Sequence, residues 1–259
     1  MVLQSRFGNA GDIWSVADAD PPAVQPGVAA SNRVCSYDRP GSMITTTTGA
    51  NGTVTMADAA TPGRSEPAPM PRDPAEVVTE LHDLLGAADV PGPYVLVGHS
   101  LGGALNVLYA RTYPDEVSAL VIVDSPLPPE RGLITPQQWE KVAVMAIPPD
   151  AIPGYELESY DVGTLFDEIE AAPPLADIPV IVITRGEISM SEDPIPDGAG
   201  GLTAAEVEAI NESQREAQAM FAASVPGAEQ ITVPGTTHYV QTQRPDVVIE
   251  AIREVIGRI

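Results

Sequence analysis

The sequence has 259 residues, 44% of them hydrophobic, enough to bury a sizeable core in one large domain or one domain with an inserted cap. Its 36 acidic and 13 basic side chains leave a formal net charge of −23, which repels phosphate backbones and anionic lipid and so disfavours nucleic-acid and membrane-surface roles. A single cysteine, Cys35, excludes an intramolecular disulfide and any multi-cysteine metal site.

In chain order, residues 2–5 read as a strand stub. Residues 33–37, 94–98, 119–124, 180–184 and 230–233 read as further strands. Their β-branched, non-alternating runs fit strands covered on both faces. Cys35, in the apolar run of residues 33–37, reads as a buried small residue rather than a nucleophile. Residues 41–73, rich in Thr, Gly and Pro, read as too polar for a core element and long for a plain loop, hence a cover over a site. Helical spacing places Val77, Val78, Leu81, Leu84 and Leu85 on one side of a helix over 74–85. Helices follow at 101–113, at 203–223 behind a Thr-x-x-Glu cap, and at 245–259. Alternation of this kind implies a parallel sheet with right-handed crossovers. Residues 125–178 interrupt it with two expected helices, 135–145 and 160–172, and form a candidate lid within one domain spanning 1–259. Trp139, Val142, Val144, Leu165 and Phe166 are its expected pocket-lining residues.

No apolar run approaches the ~18 residues of a membrane helix. The first residues lack the basic-then-apolar pattern of a secretory signal. A cytoplasmic protein without membrane insertion is therefore expected.

The chemistry centres on Gly98-His99-Ser100-Leu101-Gly102, a G-x-S-x-G pentapeptide between an apolar strand and a helix. A serine on so sharp a turn is held above the sheet, and glycines on either side remove collisions with strand and helix. The helix N-terminus offers free N–H groups to a developing oxyanion. A serine nucleophile needs a base, and the chain has three histidines. His99 sits inside the turn and is aimed away from the serine. His82 reads as a surface residue of the helix before it. His238 falls between the last strand and the last helix, at the carboxyl edge of the sheet, and is the expected base. An orienting acid belongs between Ser100 and His238. Asp124, ending its strand, is preferred; Glu187 is the alternative, followed by Glu192 or Asp193.

These residues resemble the α/β-hydrolase superfamily, and among its members a bacterial, largely actinobacterial, group of serine hydrolases. The resemblance spans nearly the whole chain: residues 33–42, the serine turn, residues 113–126 and the histidine loop with its following helix. It implies an α/β fold with a mostly parallel central sheet, helices on both faces and a small helical cap. It further implies Ser100 as nucleophile, His238 as general base and Asp124 or Glu187 as the acid, with no cofactor and no metal. The family's usual acid lies three residues past a glycine after the seventh strand. That position here is Ser189, three past Gly186, which is why Asp124 is chosen. Position in the family places the backbone N–H groups of Phe7 and Leu101 at the oxyanion, although Arg6 replaces a customary glycine. The family's first hairpin is expected to be missing. The expected activity is hydrolysis of an ester or related acyl bond in a small, apolar substrate. The alternatives are acyl transfer, perhydrolysis or C–C bond hydrolysis on the same residues, or a non-enzymatic ligand-binding protein on the same scaffold.

Overall fold

The computed structural model describes residues 1–18, 22–50, 53–147, 151–186 and 202–259. Glu187, Ser189, Glu192 and Asp193 lie outside the described residues. Six parallel strands form the central sheet: β1 (Val2–Gln4), β2 (Cys35–Ser36), β5 (Tyr94–His99), β6 (Val117–Val123), β9 (Val180–Arg185) and β10 (Glu229–Val233). Their spatial order is β10-β9-β6-β5-β1-β2. β5 and β6 are neighbours, in register from Val95 opposite Ala119 to His99 opposite Val123, so Ser100 and Asp124 leave the sheet side by side.

Two helical layers explain why the strands do not alternate in polarity. Helices α2 (Pro74–Ala87), α3 (Leu101–Thr112), α5 (Val162–Ala171) and α6 (Ala204–Ser224) supply residues to one core, against Leu96, Leu120, Ile122 and Val182. Helices α1 (Val24–Ala29), the short α7 (Val240–Gln243) and α8 (Pro245–Ile256) supply the other, against Val97, Val121, Val123 and Ile183. Each such side chain, hidden from water, contributes roughly 1.5–3 kcal/mol of transfer free energy. The expected α/β-hydrolase architecture is the one observed. Asp73 and Thr203 cap α2 and α6, the latter in a reciprocal box with Glu206.

The Thr-rich segment departs from expectation. It contains an antiparallel hairpin, β3 (Met43–Thr48) with β4 (Val54–Pro62). Threonine is β-branched, and a ladder satisfies backbone groups whatever the side-chain polarity. The hairpin does not line the serine cleft. It braces the chain at residues 8–10: the Met43 N–H donates to Gly8 O at 2.9 Å and the Ala10 N–H to Met43 O at 2.8 Å. Cys35, on the edge strand β2, is half-buried rather than buried.

Residues 125–178 hold a 3₁₀ turn (Pro128–Gly132), α4 (Pro136–Val142), a small hairpin of β7 (Val144–Ala146) with β8 (Ser159–Asp161), and α5. The expected first helix stops at Val142, and β7 turns Val144 outward, 63% exposed. Leu165 and Phe166 are fully buried, Phe166 lying against the Trp139 ring with centroids 5.6 Å apart. They pack the segment rather than face the cleft. No helix of the described residues is long and apolar enough to cross a membrane.

Candidate active site

Ser100 caps α3 with φ 55° and ψ −127°, a conformation that costs a non-glycine residue of order 1–3 kcal/mol. The surroundings impose it. The Ser100 N–H donates to Val123 O at 2.9 Å. A Cβ on Gly98 would meet Gly102 O at 2.4 Å, and one on Gly102 would meet Gln4 O at 2.5 Å. Gly103 is as tight: its Cβ would meet Ser125 Oγ at 1.9 Å. The glycines let strand, helix and the chain leaving β1 approach to backbone contact.

Asp124 leaves β6 with φ 44°, a left-handed turn that aspartate tolerates better than most residues. Its carboxylate is fully buried. His238 Nδ1 donates to Asp124 Oδ2 at 2.7 Å, leaving Nε2 for the cleft. The loop carrying His238 turns at Gly235, φ 71°, and is tied by the Thr237 N–H to Gln243 Oε1 at 2.8 Å. His99 is fully buried, donates from Nε2 to His238 O at 2.7 Å and accepts at Nδ1 from Gln241 at 3.0 Å. Burial holds it neutral, well below the usual histidine range. It pins the histidine loop. His82 is half-exposed, beside Glu116 at 3.1 Å and stacked on Tyr113 with ring centroids 4.3 Å apart.

Sequence reasoning missed Arg185, the last residue of β9. Its buried guanidinium donates from Nη1 to Asp124 Oδ2 at 2.6 Å and from Nη2 to Asn211 and Gln214 of α6, each at 2.8 Å. Gln218 adds a bond to Asp124 Oδ1 at 3.2 Å. Burial alone would raise the Asp124 carboxyl, but Arg185 and the bonds from His238 and Gln218 hold it well below the usual carboxylate range. His238 is lowered from 6.5, chiefly by burial. The Asp124 bond and charge raise it, whereas the charges of Arg185 and Arg6 push it further down. The signal for Arg185 was an arginine ending a run of β-branched residues, "VIVITR".

A second buried pair was also missed. Arg39 and Glu158 meet at 2.9 Å, both all but inaccessible to water. Arg39 donates to Ser5 O at 2.8 Å and to Arg6 O at 2.7 Å, and Glu158 Oε1 accepts the Gly8 N–H at 2.5 Å. Together they clamp residues 5–8 next to Ser100, where Phe7 was expected to supply an oxyanion donor. Arg6 bonds the Tyr239 hydroxyl and lies over that ring, bridging this loop to the histidine loop. Leu101 heads α3, where the first N–H groups have no intrahelical acceptor.

Ser100, His238, Phe7 and Arg6 line one cleft of about 240 Å³, together with Trp139, Val142, Met145 and Val162 from the inserted segment. Among the described residues no cluster of His, Cys, Asp and Glu could hold a metal ion.

A parallel sheet carrying a serine on a strained strand–helix turn, beside a histidine bonded to an aspartate at the same edge, defines the α/β-hydrolase type of protein. Residues 7–251 match the Alpha/beta hydrolase family, and the chain belongs to it. Among solved structures it is similar to a thermophilic esterase from Thermogutta terrifontis, with TM-score 0.60, 17% identity, and coverage of 99% of this chain and 89% of that one. It is also similar to Est816, described as an N-acyl homoserine lactone degrading enzyme, with TM-score 0.56, 18% identity, and coverage of 98% and 91%. Among curated proteins, the human (lyso)-N-acylphosphatidylethanolamine lipase is 35% identical over 94 residues, 33% of this chain and 27% of the lipase. Lipase 1 of Psychrobacter immobilis is 45% identical over 47 residues, 18% of this chain and 15% of that one. The chain therefore spans under a third of the length of these curated relatives.

Proposed function

We propose that the protein is a serine hydrolase that cleaves an ester or related acyl bond of a small, largely apolar substrate through an acyl-enzyme. One observation carries the reading: Ser100, on its strained turn, shares a cleft with His238, whose other ring nitrogen is bonded to a buried carboxylate.

Ser100 Oγ attacks the substrate carbonyl while His238 Nε2 takes its proton. Asp124 keeps the Nδ1–H tautomer and stabilises the imidazolium. The carbonyl oxygen becomes an oxyanion held by the N–H groups of Phe7 and Leu101. His238 returns the proton to the leaving alcohol. It then takes one from water, which attacks the acyl-enzyme and releases the acid and Ser100. Residues 125–178 act as a lid, with Trp139, Val142, Met145 and Val162 lining the acyl side. Family membership and the ester-cleaving names of several similar proteins agree with this chemistry.

The test is Ser100→Ala, assayed with p-nitrophenyl esters and a fluorophosphonate probe. Turnover is expected to fall by about 10⁶, the scale for loss of a serine nucleophile, and labelling to vanish, with an unchanged circular dichroism spectrum. Retained turnover or labelling would exclude the mechanism.

A further inference from the structure

The cleft holds one carboxyl group that the mechanism leaves idle. Glu130, on the turn Pro128–Gly132, lines it with Ser100 and His238. Only 6% of the residue is exposed, and its Oε2 is buried with no hydrogen-bond partner among the described residues. Both cations in the cleft wall are occupied elsewhere: Arg185, whose charge acts on Glu130, spends its guanidinium on Asp124, Asn211 and Gln214, and Arg6 bonds the Tyr239 hydroxyl. The adjacent Arg131 turns outward to Asp167 and Glu170 of α5. From α6, the groups near this end of the cleft are the neutral side chains of Asn211 and Gln214. A buried polar group left without a partner costs roughly 1–3 kcal/mol, and such exceptions in a binding cleft point to a ligand that completes them.

Resting on the hydrolase reading, we infer that Glu130 is a specificity-determining group. It donates a hydrogen bond to a neutral acceptor, such as a ketone, ether or amide oxygen, carried on the acyl chain of the substrate. Three observations favour this class. Trp139, Val142, Met145 and Val162 give the cleft one apolar side, which suits a hydrocarbon chain. An ammonium on the substrate would share the cleft with the guanidiniums of Arg6 and Arg185. A carboxylate would find Arg185 already committed to Asp124, Asn211 and Gln214 and Arg6 to the Tyr239 hydroxyl. The protonation state agrees: burial lifts the Glu130 carboxyl to about 8, with Arg185 opposing and Asp124 adding to the rise. At neutral pH the group is therefore mostly an acid with a proton to give, a state that apolar sites impose on carboxyl groups elsewhere.

The experiment compares p-nitrophenyl hexanoate with its 4-oxo and 5-oxo analogues. The readout is the ratio of kcat/KM for ketone over parent ester, so a change that slows both equally does not count. The wild-type protein is expected to favour at least one ketone ester by about 10- to 100-fold, the range of one buried hydrogen bond. The preference should disappear in Glu130→Leu. It should persist in Glu130→Gln, which keeps a neutral N–H donor. In the wild type it should fade as pH rises through 8, and in Glu130→Gln it should not. The absence of any ketone preference, or a preference unaffected by Glu130→Leu, would overturn the assignment. So would a preference for the 6-amino ester that both variants lose, which would make Glu130 a carboxylate for a cation. If the parent ester is hydrolysed and Ser100 labels with fluorophosphonate, only the role of Glu130 is overturned. If neither occurs, the hydrolase reading falls, and this inference with it.

Discussion

The serine turn and the two buried ion pairs beside it hold the same site by different physics. The turn is six consecutive residues, 98–103, and its constraint is steric: glycines stand where any Cβ would strike backbone or a buried hydroxyl. The pairs join residues far apart, Arg39 with Glu158 across 119 positions and Arg185 with Asp124 across 61. Their constraint is electrostatic, and each fixes a loop whose conformation the local sequence leaves open. The two kinds of support should fail differently. An added methyl strains the turn by about 1–3 kcal/mol, whereas removing one partner of a buried pair leaves an uncompensated charge at about 3–5 kcal/mol.

Asp124→Asn should show the largest effect of these supports, because Asp124 serves both the histidine and Arg185. We expect kcat to fall by about 10⁴, as when the orienting aspartate of a triad is lost. Urea denaturation should also reveal a stability loss of about 3–5 kcal/mol from the stranded guanidinium. Lost activity at full stability would mean that Arg185 is not a clamp. Glu187→Gln should cost little by either measure, and the reverse pattern would move the acid to that residue.

Glu158→Gln should cost a similar amount of stability and a smaller share of activity. The upper limit is about 10²–10³ in kcat, the scale of one misplaced oxyanion donor. The acid limb of its pH profile should stay where the wild type has it. A moved limb would show that this pair acts on His238 rather than on residues 5–8.

Gly102→Ala tests the steric side of the comparison. Its new Cβ would press on the carbonyls of Gln4 and Ser5, at 2.5 and 2.6 Å, so the turn and the neighbouring loop should move together. A stability loss of about 1–3 kcal/mol is expected, visible as a lowered denaturation midpoint with the same urea slope.

The smallest effect at neutral pH is the titration of His238. A histidine acting as the proposed base must be neutral, and burial lowers His238 from 6.5. Activity should therefore be full above 6.5 and fall with kcat/KM at lower pH. Arg185→Gln removes a cation that disfavours the imidazolium, so the acid limb should shift to higher pH. A limb already above 6.5 in the wild type would contradict the balance of burial and charge around the ring.

The sheet was legible because covered strands must be apolar on both faces. Residues 180–184 and 230–233 match their strands to within one residue. The Thr-rich hairpin was not, because a polar β-branched run carries no burial signal even when its backbone pairs. Val144 was read as lining the cleft because a helical period was extended past Val142, where the chain turns into a short strand. In the candidate site, Ser100, His238 and Asp124 were legible from their places relative to strand ends. Arg185, Glu158 and Glu130 were not: a charged residue at a strand end or on a turn reads as solvated unless its neighbours in space are known.

The sequence by itself determined the strand–helix alternation, the glycines that admit the serine turn and the membership of the sheet. Each depends on hydrophobic period or backbone sterics within a few residues. Only the tertiary structure decided which acid lies against His238, what neutralises that acid, what clamps residues 5–8 and which carboxyl in the cleft has an oxygen without a partner among the described residues. Those outcomes depend on charges brought together across 60 to 120 positions and on the loss of water around them. A linear pattern does not encode either, because the strength of a charge pair is set by burial and distance rather than by spacing along the chain.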